Sequence, residues 1–379
     1  MMGPGFQNAN QGLQEIELGN LTLGEEDMSR FTIVFMLTMT VVMAAHPTLA
    51  ASYAVGACKP TLPSFASISV AVSSVPPSST VLVCPGTYKE QVTISQPLTL
   101  QGITSANSAQ AVIAVPDGGL STVPDVYFGP VAFQVMVTAG SVTVTNITVD
   151  GTGGGGNGCF NFILVGIYYS SGSSGTVSGV TTRNQINNQC SIGIVAENFS
   201  STSESVTIQN SSVHDVDGVG IYAVTDQTQP TLTATIKGNT VDVDGGDQGI
   251  QAVFNAGSVT GNFVSGGVEG LLLTAPASIA SGNTITKSYF GIFAGIDGVS
   301  ATSNKISNSV IGIVTTANGT TFQSNTITRT TTGIDFRCHT ATVAHNTIND
   351  ATVGLTSVPA SFASPNTFFN VSTIRTGGC

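Results

Sequence analysis

The chain lacks tryptophan and carries little charge. Only 8% of its 379 residues are charged, and 10 Lys and Arg face 21 Asp and Glu. Nucleic acids are bound largely through basic side chains that neutralise phosphates, so this balance argues against a nucleic-acid partner. A polyanionic ligand is likewise disfavoured unless a cation bridges it to the protein. The abundant residues are instead 44 Gly and many Ser, Thr, Val and Asn, which favour strands and tight turns.

Long apolar runs are also scarce, and the most prominent one lies near the N-terminus. It extends from Phe31 to Ala45, follows Arg30 and precedes small residues up to Ala54. This pattern predicts a secretory signal peptide at 28–50, behind a non-native or disordered extension at 1–27. The run is shorter than the roughly 20 residues of a spanning helix, so no stable membrane span is expected. We therefore expect a secreted or periplasmic protein.

Two columns of residues recur with one period along the second half of the chain. Asn residues recur every 21 positions, each followed two residues later by Val or Ile, and Gly-aliphatic pairs keep the same spacing. The Gly pairs begin at Gly249, Gly270, Gly291, Gly312, Gly333 and Gly354, and the Asn residues are Asn262, Asn283, Asn304, Asn325 and Asn346. A fixed period of this length predicts a solenoid of stacked coils. We interpret the Asn column as structural, with Asn in left-handed turns and amides bonded from coil to coil.

Six cysteines are spaced as three neighbouring pairs, although many connectivities are possible. In a solenoid only adjacent coils approach closely enough for disulfide geometry, which favours sequential pairing. The expected bridges are Cys58 with Cys84, Cys159 with Cys190, and Cys338 with Cys379.

The segment before the repeats resembles the opening of a known superfamily. Phe65, Ile68, Val72 and Val75 have helical spacing, and the alternating stretch Val81 to Gly102 contains a Pro-Gly turn. Together with the Gly-Ile and Asn-x-Ile coils, this order is similar to right-handed parallel β-helix proteins of the pectin-lyase-like superfamily. The resemblance covers roughly Cys58 to Cys379. It implies an all-β fold of about 10–11 coils, with an N-terminal cap at 51–80 that includes a short helix and a β-helix at 81–379.

The resemblance implies no single activity, because the superfamily includes lyases, hydrolases, esterases, epimerases and noncatalytic repeats. The Trp-x-Asp-His stretch of pectate lyase-like enzymes is absent. So are the Gly-His-Gly motif of polygalacturonase-like enzymes and the Trp-containing arginine segment of pectin methylesterase-like enzymes.

Ionisable residues concentrate on the early coils, which carry insertions. Alignment of their strands stacks Asp150, Arg183, His214 and Asp242 in one column, where the later coils have Ser, Thr or Asn. The two aspartates of the column are candidates for a hydrolase pair. Arg183 is a candidate for stabilising an anion, and His214 for moving a proton. The alternative is a solvated turn whose Asp residues satisfy backbone amides.

Further candidates surround this column. Tyr168 and Tyr169 are candidates for stacking on sugar, the alternative being a half-buried aromatic pair on a strand, and Asp215 and Asp244 are candidates for contacting substrate. Asp215, Asp217, Asp244 and Asp247 are candidate ligands for Ca²⁺, which prefers oxygen donors.

The function expected from these residues is carbohydrate binding on the early coils, with lyase- or hydrolase-like action on polysaccharide as a further hypothesis. The expected partner is a polysaccharide or cell-surface glycan, and the protein is expected to be a monomer. The alternative is a noncatalytic structural, adhesive or surface-interaction solenoid. In the catalytic hypothesis, the four residues of the column form the active site.

Overall fold

A computed structural model describes residues 51–104, 110–156, 158–226, 231–243, 245–276, 278–360, 362 and 365–379. The predicted extension at 1–27 and signal peptide at 28–50 lie outside the described residues. Within the described ranges, none of the helices has the length and apolar character needed to cross a membrane.

The strands form two sheets that wind together into a right-handed parallel β-helix, as the resemblance implies. We call the 13-stranded sheet the first face. Its strands, in order along the sheet, are Ser64–Phe65, Ser52–Val55, Ser79–Val83, Leu98–Gly102, Val142–Thr145, Gly175–Ser178, Glu204–Gln209, Leu232–Lys237, Ala256–Thr260, Ile279–Ser281, Ser300–Thr302, Thr320–Gln323 and Ala341–Ala344. Because Ser52–Val55 pairs with Ser79–Val83, the β-structure begins before residue 81, the expected start of the β-helix.

The second sheet has 22 strands and supplies the other two faces. In chain order they are Gly86–Lys89, Val92–Ile94, Ala111–Ala114, Thr122–Asp125, Gly129–Val137, Ile147–Asp150, Ile163–Tyr169, Thr181–Gln185, Ser191–Asn198, Ser212–Val216, Val219–Thr225, Thr240–Val243, Gln248–Val253, Phe263–Gly266, Glu269–Leu273, Thr284–Thr286, Phe290–Ala294, Lys305–Ser307, Ile311–Thr315, Thr326–Asp335, Thr347–Thr356 and Thr367–Arg375. The second face contains strands that follow the Asn turns, such as Thr284–Thr286. The third face contains strands with the Gly-aliphatic pairs, such as Phe290–Ala294. The last three strands run across both faces.

A helix at Ile68–Ser74 covers the first coils and buries Ile68, Ala71 and Val72. The carboxylate of Glu90, which follows the strand Gly86–Lys89, binds backbone N–H groups at the N-terminus of this helix. The backbone N–H groups of Ile68 and Ser69 donate to Glu90 at 2.9 and 2.8 Å. The predicted capping helix is present but shorter than its apolar spacing indicates, because Phe65 lies in the short strand Ser64–Phe65. A short 3₁₀ helix occupies Gly158–Phe160.

The 21-residue repeat places equivalent residues directly above one another. Leu271 pairs with Ile292, which pairs with Ile313, and all three side chains are fully buried. The preceding glycines lie where there is no room for a side chain. A Cβ on Gly291 would lie 2.5 Å from the carbonyl oxygen of Gly312 and would overlap the side chain of Ile306.

The Asn column forms a continuous ladder inside the turns. In each step the backbone N–H and the side-chain amide of one Asn donate to the Oδ1 of the next; for Asn283 to Asn304 both distances are 2.9 Å. The ladder extends beyond the predicted set to Asn239 and Asn366. The left-handed conformation expected for the Asn residues is found one residue earlier, because the positive φ belongs to the residue before each of the five predicted Asn residues, such as Ser303 before Asn304.

Three disulfides connect neighbouring parts of the coil stack. They join Cys58 to Cys84, Cys159 to Cys190 and Cys338 to Cys379, the sequential pairs expected from the solenoid.

Candidate functional site

The predicted ionisable column lies on the second face, in the expected register. Asp150 pairs with Arg183, Arg183 with His214, and His214 with Asp242, after which Ser265 continues the column. The structure extends the column in the other direction through Ala114 to Lys89. Strand pairing therefore places the four residues in one row along the helix axis.

Only the first two of these four residues make direct side-chain contact. Arg183 Nε donates to Asp150 Oδ2 at 2.9 Å. Asp150 Oδ1 also accepts hydrogen bonds from the backbone N–H of Thr152 at 3.0 Å and from the Asn184 amide at 2.9 Å. Partial burial alone would raise the pKa of Asp150, but the hydrogen bonds from Asn184, Thr152 and Arg183 lower it to about 2. A carboxyl with this pKa is a poor proton donor at neutral pH.

The other two members do not join this pair. His214 Nδ1 lies 2.6 Å from Asp215 Oδ2 on the neighbouring exposed residue, and Asp242 is exposed. Asp150 and Asp242 are three strand steps apart, and at ~4.8 Å per step their backbones are separated by ~14 Å. Glycosidase carboxylates lie about 5–10 Å apart, so this spacing argues against Asp150 and Asp242 as a hydrolase pair.

Two of the four residues proposed for Ca²⁺, Asp215 and Asp217, bind other protein groups in the described part of the chain. Asp217 accepts the backbone N–H groups of Asn187 and Gln189 and the hydroxyl of Ser191, so its oxygens hold a loop. Asp244 lies outside the described residues. Among the residues that are described, no group of three or more His, Cys, Asp or Glu residues is placed to hold a metal ion.

Both tyrosine rings are buried, which favours the alternative of an aromatic pair on a strand over rings that stack on sugar. Tyr169 points into the core, is fully buried and donates its hydroxyl to the carbonyl oxygen of Val142 at 2.9 Å. Tyr168 points outward from the third face, yet only 1% of its surface is exposed. Its hydroxyl donates to Asp125 Oδ2 at 2.8 Å. The alternation of a strand explains why adjacent tyrosines lie on opposite sides of the sheet.

A folded-back segment covers Tyr168 and creates a cleft. The strand Thr122–Asp125 runs antiparallel to Gly129–Val137 and lies over a second apolar cluster on the outside of the third face. Tyr127 stacks on Phe199 with ring centroids 5.0 Å apart, and its hydroxyl lies 2.8 Å from that of Tyr222. The cleft beside this aromatic group has a volume of about 370 Å³. Its lining includes Asp125, Met136, Tyr168, Glu197 and Phe199.

Glu197 is the most unusual ionisable residue in this cleft. Its side chain is almost wholly buried, and its Oε1 accepts the backbone N–H and the hydroxyl of Ser171, both at 3.1 Å. Its Oε2 has no hydrogen-bond partner among the described residues. Burial raises the pKa of Glu197 to about 7; the nearby Tyr168 hydroxyl and the hydrogen bonds from Ser171 oppose this rise, and the Asp125 charge adds to it. A carboxyl of this kind can both hold and release a proton near neutral pH.

Burial and the neighbouring carboxylates raise the pKa of Tyr168 far above its ordinary value, with burial the largest cause. Its hydroxyl therefore stays protonated and acts as a hydrogen-bond donor. Asp125 is held by three donors, since its Oδ1 also accepts the backbone N–H groups of Tyr127 and Phe128 at 2.8 and 2.7 Å. The three polar groups Asp125, Tyr168 and Glu197, which we call the cleft triad, are thus positioned by the scaffold.

The sequence analysis missed two members of the cleft triad. Glu197 is the only acidic residue in the otherwise uncharged strand Ser191–Asn198, and this contrast was a usable signal. Asp125 carried no comparable signal, because its position depends on how the segment 122–128 folds back.

Several solved structures are similar to this chain at low sequence identity. No family model matches the chain, and no curated protein matches it. Among solved structures, the mannuronan C-5 epimerase A-module of Azotobacter vinelandii is 15% identical over 79% of this chain and 89% of its own, with a TM-score of 0.43. An alginate lyase from Paenibacillus sp. is 14% identical over 86% and 97%, with a TM-score of 0.42. An exopolygalacturonase from Yersinia enterocolitica is 10% identical over 82% and 74%, with a TM-score of 0.45.

The parallel β-helix expected from the resemblance to the pectin-lyase-like superfamily is confirmed. At these identities and TM-scores, the likeness carries no argument about the activity of this chain. The functional argument depends on the site residues alone.

Proposed function

We propose that the protein binds polysaccharide in the cleft of the third face and cleaves it by proton transfer through Glu197. One observation bears most of this proposal. A nearly fully buried carboxyl, with a pKa of about 7 and an unpartnered oxygen, lines an aromatic-walled cleft of about 370 Å³. Strongly shifted carboxyls in clefts are typical of catalytic acids and bases.

The cleft triad divides the required tasks in a simple way. Protonated Glu197 donates a proton to the departing glycosidic oxygen, and Tyr168 offers a neutral hydroxyl beside it. In hydrolysis the bond from that oxygen to the anomeric carbon breaks, water adds to the carbon, and the proton that water releases restores Glu197. In elimination the bond from that oxygen to C4 of a uronate breaks, a C4–C5 double bond forms, and the C5 proton restores Glu197. Asp125 orients Tyr168 through the hydrogen bond at 2.8 Å. The exposed face of Tyr127, beside Phe199, supplies an aromatic surface on which a sugar ring can stack.

The role first expected for the second-face column changes accordingly. Asp150 has a pKa of about 2 and accepts hydrogen bonds on both oxygens, which suits it to positioning Arg183 rather than to proton transfer. We therefore assign the chemistry to the third face and leave the column a binding role.

We also infer that the chain is exported to an oxidising compartment, as secreted or periplasmic proteins are. Three disulfides support this inference, because structural disulfides persist in such compartments and are rare in the cytosol. Expression of the whole chain in a host that secretes proteins, followed by analysis of the medium, tests it. Retention of the whole chain inside the cell would contradict it.

The function is tested by a screen of the purified full chain against uronate and neutral polysaccharides. Two readouts are recorded together, the ultraviolet absorbance of unsaturated sugar and the release of reducing ends. Product with absorbance indicates a lyase, and reducing ends without absorbance indicate a hydrolase. Each reaction is repeated with Ca²⁺ and with a chelator, which addresses the proposed metal dependence. Absence of product on every substrate would overturn the catalytic proposal.

A noncatalytic binding solenoid is the competing function. It predicts retention on immobilised polysaccharide without any product, and no effect of Glu197→Gln on that retention. The aromatic surface of Tyr127 and Phe199 serves either function. Only the buried, unpartnered oxygen of Glu197 favours the enzyme specifically.

A further inference from the structure

A second groove lies on the second face, away from the cleft triad. It has a volume of about 510 Å³, and its lining includes Lys89, Ala114, Asp150, Thr152 and Arg183. Ala114 occupies the column position between Lys89 and Asp150, so the smallest side chain of the row leaves a depression between larger ones. Turn residues 115–117 and 152–153 also line the groove.

Arg183 is held in one orientation at this groove. Its Nε donates to Asp150 Oδ2, and Asp150 is itself fixed by Thr152 and Asn184 through its other oxygen. Within the described residues, the two terminal nitrogens of Arg183 donate no hydrogen bond, and 39% of its side chain is exposed. A guanidinium fixed through Nε still presents donors on its terminal nitrogens, in the geometry that matches a carboxylate.

We propose that this groove is a second binding site, in which Arg183 anchors the carboxylate of an acidic sugar within an oligouronate chain. The proposal rests on the proposed function, because that function supplies polysaccharide as the ligand. Lys89, paired with Asp117 in the same groove, offers a second cation at the other end of the depression. The hydroxyl of Thr87 lines the groove between them, and the hydroxyl of Thr152, which donates to Asp150 Oδ1 at 2.6 Å, can still accept a hydrogen bond from a sugar hydroxyl.

The charge balance of the groove defines what it accepts. Each of the two cations has one carboxylate partner, so the groove has no net charge that would attract every polyanion. Selection then depends on the planar hydrogen-bonding edge of Arg183 rather than on bulk attraction. The groove therefore adds nothing to the repulsion that an acidic protein of net charge −11 exerts on an acidic glycan, and the directed hydrogen bonds of Arg183 have to offset that repulsion.

The test measures binding calorimetrically with the full chain carrying Glu197→Gln, which prevents turnover during the titration. The probes are hexagalacturonate, an uncharged cellohexaose and free galacturonate. Arg183→Ala is expected to weaken hexagalacturonate binding about tenfold or more, the loss typical of one charged hydrogen-bonded contact. Arg183→Lys is expected to lose most of the same affinity, because lysine keeps the charge but lacks the paired, planar donors of the guanidinium.

Arg329→Lys is the matched control, since Arg329 is an exposed arginine on a regular coil of the same sheet. It is expected to bind as the parent does. Hexagalacturonate affinity that stays within about twofold in Arg183→Ala would overturn the proposal. So would cellohexaose binding with the same dependence on Arg183. Free galacturonate is expected to bind far more weakly than the hexamer, and equal affinity per molecule would contradict a chain-binding groove.

The outcomes distinguish this inference from the proposed function. If turnover requires Glu197 but binding does not depend on Arg183, only the proposal of a second binding site is contradicted. If binding depends on Arg183 but no polysaccharide is turned over, only the proposal of catalysis is contradicted.

Discussion

Glu197 and Glu204 hold two consecutive amide groups of one loop beside the cleft. The N–H of Ser171 donates to Glu197 Oε1 at 3.1 Å, and the N–H of Gly172 donates to Glu204 Oε1 at 2.5 Å. In each carboxyl the second oxygen is buried and has no hydrogen-bond partner among the described residues. Burial raises the pKa of both groups, to about 7 for Glu197. The loop at the edge of the cleft therefore depends on two carboxyls whose ionisation is unfavourable.

Stability is expected to fall as the pH rises from about 4.5 to about 7. In this window the folded protein binds more protons than the unfolded chain, because Glu197 titrates near 7 when folded and near 4.5 when unfolded. Glu197 stabilises the fold fully below its pKa in the unfolded chain, and this stabilisation is lost as the pH rises through its pKa in the folded protein. The full contribution of this carboxyl is about 3 kcal/mol. Denaturant unfolding at about pH 5 and about pH 8 measures the difference.

Two variants separate this effect from the titration of other groups. Glu197→Gln removes one titrating carboxyl and is expected to make the pH dependence shallower, while Glu204 and Glu269, whose pKa burial also raises, keep their contribution. Asp242→Asn, on an exposed residue of the second face, is expected to keep the full pH dependence. A loss of stability that remains equally steep in Glu197→Gln would show that other groups cause it.

Turnover is expected to require the protonated form of Glu197. The rate of cleavage should therefore decline as the pH rises through about 7, and Glu197→Gln should reduce kcat by at least about a hundredfold. Glu269→Gln is the matched control, because Glu269 lies on the same face and burial also raises its pKa. An equal loss in both variants would mean that Glu197 has no specific role. A rate that climbs through pH 7 would reverse its assignment from acid to base.

The coil architecture could be predicted from the sequence because it depends on short, repeated spacings. The stacking of Asp150 on Arg183, and of His214 on Asp242, was predictable because the insertions lie between the strands and leave the strand register intact. The positive φ before each of the five predicted Asn residues could not be predicted, because the left-handed backbone and the side-chain hydrogen bonds belong to adjacent residues of the same turn.

The cleft could not be predicted in the same way. Its wall comes from a segment that occurs once and folds back antiparallel on a surface that is otherwise exposed. Strand alternation alone shows that Tyr168 and Tyr169 lie on opposite sides of the sheet. It does not show that the folded-back strand Thr122–Asp125 covers the outer one. Such long-range covering contacts leave no period in the sequence.

The Asn ladder is expected to be a major source of stability. Asn304 is fully buried; its amide donates to Asn325 Oδ1 and to the carbonyl oxygen of Ala280, and its Oδ1 accepts from Asn283. Asn304→Ala leaves several buried polar groups without partners, so the expected loss is about 3 kcal/mol or more. Gln323→Ala is the control, because Gln323 is half-buried and its side chain makes no hydrogen bond within the described ranges. Denaturant unfolding compares the two, and similar losses would argue against a special role for the ladder.

The close contact between coils at the Gly column predicts a clear difference between two glycines. A Cβ at Gly291 would lie 2.5 Å from the carbonyl oxygen of Gly312 and would overlap Ile306, so the coils would have to separate. At Gly140 the same atom would meet nothing within 4 Å, and the φ of Gly140 needs no glycine. Gly291→Ala is therefore expected to lower the free energy of unfolding by about 2 kcal/mol or more, as overpacked core substitutions do. Gly140→Ala is expected to be neutral or slightly stabilising, because it only restricts the unfolded chain. Thermal and denaturant unfolding of both variants provide the measurement, and equal stability would contradict the tight stacking of the coils.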